Sequence, residues 1–163
     1  MKRLLLDTNI YGELIFDVDF ARTKENLSQR CVIHGFSIIR NELRDVPADT
    51  KLFGKNLRIG LLHIYDELTK KAYPLTDEIL RFADSYYQTY RSLGGSKAFP
   101  SIKNDFCIVA CATLHQIDIV VSEDNKTMLT ENALKAYEIV NTLHQQKTPR
   151  FLGYLKFKRW LLE

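Results

Sequence analysis

Three short apolar runs punctuate the chain: Leu4-Leu5-Leu6, Cys31-Val32-Ile33-His34 and Ile117-Asp118-Ile119-Val120-Val121. Each is too short for a typical helix. Unbroken apolar runs of this length mark strands buried on both faces of a parallel sheet. The first ends in Asp7-Thr8-Asn9, the second at Gly35, and the third in Ser122-Glu123-Asp124-Asn125. Between them the apolar positions recur at helical spacing. A short helix and a loop are expected within 10–20, followed by a polar helix over 23–30. Ser37 is a plausible N-cap for a helix that runs to Pro47, with Ile38, Ile39 and Leu43 buried. Residues 50–71 read as one long helix with Leu57, Leu61, Ile64, Tyr65 and Leu68 as its stripe. Thr76 caps the next helix, Asp77 and Glu78 suit its first turn, and Gly94-Gly95 ends it.

Residues 97–103 read as a loop. From Asn104 the run NDFCIVACATLHQ is so apolar that it predicts a central helix, with Asp105 in the first turn. Further helices are expected over 129–144 and 154–162. Strands separated by helices predict an α/β fold, a three-layer α/β/α sandwich with a central, mainly parallel sheet and a high helix content. Tyr86, Tyr87 and Tyr90 fall at helical spacing, which suits packing between helices better than stacking on bases.

Composition changes this picture little. Charged residues are 26% and hydrophobic ones 45%, an ordinary globular mix. No apolar stretch approaches the roughly 20 residues that span a bilayer. Lys2 and Arg3 precede only three leucines, short of the roughly 7–15 apolar residues of a signal peptide, so a cytoplasmic protein is expected. Cys31, Cys107 and Cys111 lie in apolar segments and read as free thiols. Cys107, Cys111 and His115 share a helical spacing, but a fourth zinc ligand is not evident. Charge is uneven. The segment from Lys147 carries Lys147, Arg150, Lys156, Lys158 and Arg159 against Glu163, a net +4. With a total of +3, residues 1–146 therefore carry −1. This divides the chain into a domain over 1–146 and a basic C-terminal extension over 147–163 that packs on it. A basic tail suits contact with a polyanion, as it also suits a solvated amphipathic helix. Lys156, Lys158 and Arg159 are the weak candidates for nucleic-acid contact.

Four acids stand out by position. Asp7 and Asp124 follow the ends of buried strands, Asp105 opens a buried helix, and Glu42 lies beside a hydrophobic stripe. Singly, each has a plain explanation: a cap, a turn, a first-turn acid, or an ion pair of Glu42 with Arg40 or Arg44. Jointly, parallel-sheet topology gathers strand ends and helix N-termini on one edge.

The stretches LLLDTNIY, IIRNELRD, NDFCIVACA and VVSEDNKTM resemble the PIN domain family of metal-dependent nucleases. Asp7-Thr8-Asn9 matches the family's DTN-type motif and Glu42 its early-helix Glu. Asp105, Ile108, Ala110 and Ala112 match DxxIxAxA, and Ser122 with Asp124 matches T/S-x-D. Intervals of 35 residues from Asp7 to Glu42 and 19 from Asp105 to Asp124 are of the family's order. Met128 stands where an aromatic is usual, and Glu123 adds an acid. The interval of 63 from Glu42 to Asp105 exceeds that of the smallest members.

The resemblance implies a PIN-like fold and a ribonuclease that hydrolyses a phosphodiester with metal-activated water. Asp7, Glu42, Asp105 and Asp124 would be the catalytic and metal-binding acids, with Mg²⁺ or Mn²⁺ as cofactor, since hard cations take oxygen ligands. Asn9 and Ser122 would support them from behind. RNA would be the substrate, and a small antitoxin-like protein and a second copy in a homodimer are the expected partners. A PIN-fold module that binds RNA or protein with little or no cleavage is the alternative. An aspartyl-phosphate phosphatase would need Asp two residues after the first, where this chain has Asn9.

Overall fold

In the computed structural model, which describes all of residues 1–163, five parallel strands form the central sheet. In chain order the elements are β1 (Lys2–Leu6), α1 (Thr8–Phe16), α2 (Phe20–Arg30), β2 (Cys31–Phe36), α3 (Ser37–Arg44), β3 (Lys51–Leu52), β4 (Lys55–Asn56) and α4 (Leu57–Leu68). There follow β5 (Thr69–Tyr73), α5 (Asp77–Ser92), α6 (Phe99–Leu114), β6 (Ile119–Val121), α7 (Glu131–Leu143), β7 (Arg150–Leu152) and α8 (Tyr154–Leu162). The strand order is β5-β2-β1-β6-β7, and β3 and β4 make a separate antiparallel hairpin.

This order dictates where a site can form. The chain starts at the centre of the sheet, winds outward through β2 and β5, then returns to β6 on the other side of β1. Right-handed crossovers moving in opposite directions place their helices on opposite faces. Accordingly α1, α3 and α4 pack together, and α5 packs on both α6 and α7. The winding reverses between β1 and β6, and at such a switch point the carboxyl ends of the strands leave a crevice. Leu4, Leu5, Leu6, Val120 and Val121 are wholly buried there, so the acids after them are fixed to a rigid floor.

Several boundaries differ from those the sequence predicts, each for a local reason. The expected helix over 50–71 is a hairpin, α4 and β5. β5 reads TKKAY because it is an edge strand whose lysines face water, which hides it from an apolar search. Helix α6 begins at Phe99, five residues before Asn104, because Pro100 sits in its first turn, where proline is tolerated. The residues from Lys147 onward supply the edge strand β7, paired with β6, and α8, which packs on α2. Ser37 is the first residue of α3 and makes no cap; its hydroxyl accepts from the Leu75 N–H.

Strand β2 does not stop at Gly35 but continues through Phe36. Gly35 is required by space: an added Cβ would overlap the Tyr65 hydroxyl and come within 2.7 Å of the Thr69 methyl. Gly12, in α1, meets nothing within 4 Å. Gly35→Ala is therefore expected to destabilise by about 1–3 kcal/mol through overpacking. Gly12→Ala is expected to stabilise by about 0.5–1 kcal/mol through helix propensity. Urea midpoints of both variants read the opposite signs.

Candidate active site

Asp7 follows directly on β1 and caps α1. Its N–H donates to the Val121 carbonyl at 2.9 Å, which ties the strand end to β6. Its Oδ1 accepts from the Thr8 N–H at 2.8 Å, and its Oδ2 accepts from the Ser122 hydroxyl at 2.6 Å. The residue is only 4% exposed. The capping explanation is thus correct for one oxygen, while the other is held by a residue 115 positions away. Burial raises the Asp7 carboxyl above its ordinary range, the bonds from Ser122 and Thr8 oppose this, and the charge of Asp124 adds to it.

Glu42 lies on α3, and its Oε1 accepts from the Thr8 hydroxyl at 3.0 Å. It makes no ion pair: Arg40 is bound instead to Asp66, and Arg44 reaches no acid. Its carboxyl is also raised, first by burial, against the Thr8 bond, and further by the charges of Asp7, Asp45 and Asp124.

Asp105 does not sit in the first turn of its helix. With α6 starting at Phe99 it is a full turn inside, so the helix N-terminus does not explain it. Burial pushes its carboxyl up to about 7, and the charges of Asp124, Asp7 and Glu42 act in the same direction. Asp124 is wrapped in its own turn, its Oδ1 accepting from the N–H groups of Lys126 at 3.1 Å and Thr127 at 3.0 Å.

One hydroxyl joins these last two acids. Thr127 Oγ1 stands 2.5 Å from Asp105 Oδ2 and 2.5 Å from Asp124 Oδ2. A hydroxyl has a single hydrogen to donate. It can therefore serve only one of the two carboxylates at a time, which leaves the other acid's charge less compensated. Asp105 is the acid of the pair whose carboxyl burial pushes up to about 7.

The structure therefore brings the four expected acids to one edge, where the charge of Asp124 acts on Asp7, Glu42 and Asp105. It also places the two expected supporting residues. Ser122 donates to Asp7 and accepts from the Asp124 N–H at 3.0 Å, and Asn9 Oδ1 accepts from the Glu123 N–H at 3.3 Å. Glu123 turns away, its carboxylate accepting from the Tyr154 N–H at the start of α8. Thr8 and Thr127 were missed as contacts, although both lie inside the quoted motifs. Their signal is a hydroxyl one residue after Asp7 and three after Asp124.

The three tail cations stand apart from one another in role. Lys158 is spent on Asp17 at 2.9 Å, while Lys156 and Arg159 are exposed. Tyr86 and Tyr90 are core residues. All three cysteines are buried and free, and His115 stacks on Tyr73. Met128 is fully buried beneath the site, its carbonyl accepting from the Tyr137 hydroxyl at 2.8 Å.

No set of three acid, histidine or cysteine side chains closes into a ready-made cation cage. The donor chemistry nevertheless fits a hard divalent ion: oxygens only, crowded by like charge, with hydroxyls as their nearest partners.

The sequence matches no family model and no curated protein. Its fold does match solved structures. The chain aligns with one in the VapBC2 complex of Rickettsia felis bound to a promoter DNA fragment, at TM-score 0.62 and 14% identity, covering 93% of this chain and 98% of that one. A chain of FitAB bound to the IR36 DNA fragment gives 0.60 and 17%, covering 92% and 94%. One of DNA-bound VapBC from Salmonella typhimurium gives 0.59 and 14%, covering 94% and 98%. The VapC and FitB components of such complexes are PIN domains. This chain shares the fold of these structures, a PIN-like, helix-rich α/β/α sandwich on a parallel sheet.

The Asp105 proton fixes a pH dependence. An unfolded Asp loses its proton near 3.9, whereas the folded one keeps it to about 7. Between those values the folded state binds more protons, so stability falls as pH rises and levels off above about 7. In EDTA, the urea midpoint of the wild type is expected to drop between pH 5 and pH 8 by more than that of Asp105→Asn. Equal drops would remove Asp105 as the buried proton holder.

Proposed function

We propose that this chain is a metal-dependent endoribonuclease acting through Asp7, Glu42, Asp105 and Asp124. The observation that carries the reading is the gathering of four acids, from four separate stretches of sequence, at the switch point of a PIN-like sheet. Hydroxyl groups hold them, and burial, with neighbouring carboxylate charge added to it, raises Asp7, Glu42 and Asp105. Mg²⁺ or Mn²⁺ bound there would supply a polarised water and neutralise charge on the phosphate. Asp7, which is buried, and Asp105, which is part-buried, are the residues best suited to hold it, with Asp124 and Glu42 completing the set.

The chain's own residues do the rest. Ser122 holds Asp7 Oδ2, so that oxygen keeps its direction when the proton balance of the site changes. Thr8 holds Glu42 at the rim, where a carboxylate raised by burial is suited to accept a proton from an attacking water. Thr127 holds Asp105 and Asp124 together through one hydroxyl, which fixes the spacing of that pair. The fold neighbours VapBC and FitAB are two-component complexes. They support a reading in which this chain, too, is met by a small antitoxin-like protein; action in the cytoplasm as a homodimer belongs to the same proposal.

Purified protein is expected to cut RNA with Mg²⁺ or Mn²⁺ and to stop in EDTA. Asp7→Asn or Asp105→Asn should each lower the rate at least about 10²-fold, since metal-assisted charge neutralisation contributes several kcal/mol. Equal cleavage by wild type and Asp7→Asn would refute the site. RNA binding without cleavage in the wild type would favour a binding module.

A further inference from the structure

The β3–β4 hairpin carries two costs that its own packing does not offset. Its turn is Phe53-Gly54, with φ of 50° and 77°. Positive φ at both central residues is the pattern of a type I′ turn, normally filled by Asn-Gly or Asp-Gly. A bulky aromatic in the left-handed region is a steric outlier, and such outliers cluster at functional positions. The same ring is 90% exposed, so the strain does not serve to bury it.

The surroundings are cationic. Lys51 and Lys55 are exposed on the hairpin. Arg44, at the end of α3, and Arg58, at the start of α4, line a cleft of about 640 Å³. None of these four cations has an acid within ion-pair distance. From Thr50 to Tyr65 the sequence contains no Asp or Glu. The cleft is also lined by Asn41 on α3 and by Asp45 at its C-cap, which flank Glu42 in sequence. Asp45 is the one acid in its lining and is outnumbered by the two arginines.

We propose that the hairpin is a single-stranded RNA arm of the active site. Phe53 offers its face to an unpaired base. Lys51, Lys55, Arg44 and Arg58 take phosphates, so the strand lies along the cleft and reaches the acids past Glu42. The inference rests on the ribonuclease reading and adds to it where, and in what form, the substrate enters. Every base has a face to stack, so the arm accepts any sequence. Paired bases in an RNA helix offer no free face, so the arm selects for single strands. Four unpaired cations favour a polyanion over an apolar peptide as the occupant of the exposed ring.

The test uses the full chain carrying Asp105→Asn, so that binding is read without cleavage. A short fluorescein-labelled oligouridylate and a matched RNA duplex are titrated by anisotropy. Adding Phe53→Asn is expected to weaken oligouridylate binding at least about 5-fold, the low end for loss of one stacked base. It should leave duplex binding unchanged. The same change should keep or raise the melting temperature, because Asn tolerates the left-handed conformation. Stability and affinity then move in opposite directions, which a merely structural role cannot produce. Lys51→Ala with Lys55→Ala should lower the salt slope by roughly 0.7 per lost phosphate contact. Unchanged oligouridylate affinity in Phe53→Asn overturns the proposal and leaves the ring to a protein contact. An equal loss on the duplex also overturns it. Cleavage by the chain without Asp105→Asn is scored separately: its absence refutes the ribonuclease reading and leaves the binding result intact.

Discussion

Like charge at the carboxyl edge of the sheet is the constraint on which the rest of this structure turns. Parallel winding from a central strand brings the ends of β1 and β6 side by side, and their acids with them. Buried carboxylates without a compensating cation disfavour ionisation. The fold answers with hydroxyls: Ser122 on Asp7, Thr8 on Glu42, and Thr127 between Asp105 and Asp124. Each lowers the cost of one charge, and none removes it. Burial and neighbouring charge therefore leave Asp7, Glu42 and Asp105 raised despite these bonds.

The scaffold around the site is correspondingly firm. Leu4 to Leu6 and Val120 to Val121 are fully buried, and the loops after them are cross-tied by the Asp7 N–H to Val121, by Ser122 to Leu152 and by Glu123 to Asn9. The tail takes part in this. Strand β7 backs Ser122, and the Glu123 carboxylate holds the N-terminus of α8. At the other side of that helix, Asp17 accepts from the Tyr154 hydroxyl at 2.6 Å and pairs with Lys158. A basic tail that reads as a polyanion contact thus also braces the loop that carries Asp124.

What the sequence made legible follows from which signals are strong. Strands buried on both faces announce themselves as apolar runs, and the acids after them mark the switch point. Strand β5 was hidden because an edge strand carries lysines and follows directly on an amphipathic helix. Strand β7 is three residues, too short to pattern. The start of α6 was masked by Pro100, and with it the true position of Asp105 inside the helix. Thr8 and Thr127 stood within recognised motifs, but a hydroxyl has no charge or periodicity to single it out. The hairpin pairs only two residues with two, and its meaning lies in a φ angle that composition cannot show.

If the four acids form one unit awaiting a divalent ion, their repulsion and the ion's binding must be linked. Thermal melts of wild type and Asp105→Asn at pH 7.5, in MgCl₂ and in NaCl of equal ionic strength, read that link directly. The wild type is expected to gain stability from Mg²⁺ beyond the salt control, about 1.4 kcal/mol at ten times the dissociation constant. Asp105→Asn should lose most of this gain while matching or exceeding the wild type in EDTA. A wild-type melt that responds to Mg²⁺ no more than to NaCl would contradict the claim that these carboxylates are a metal site.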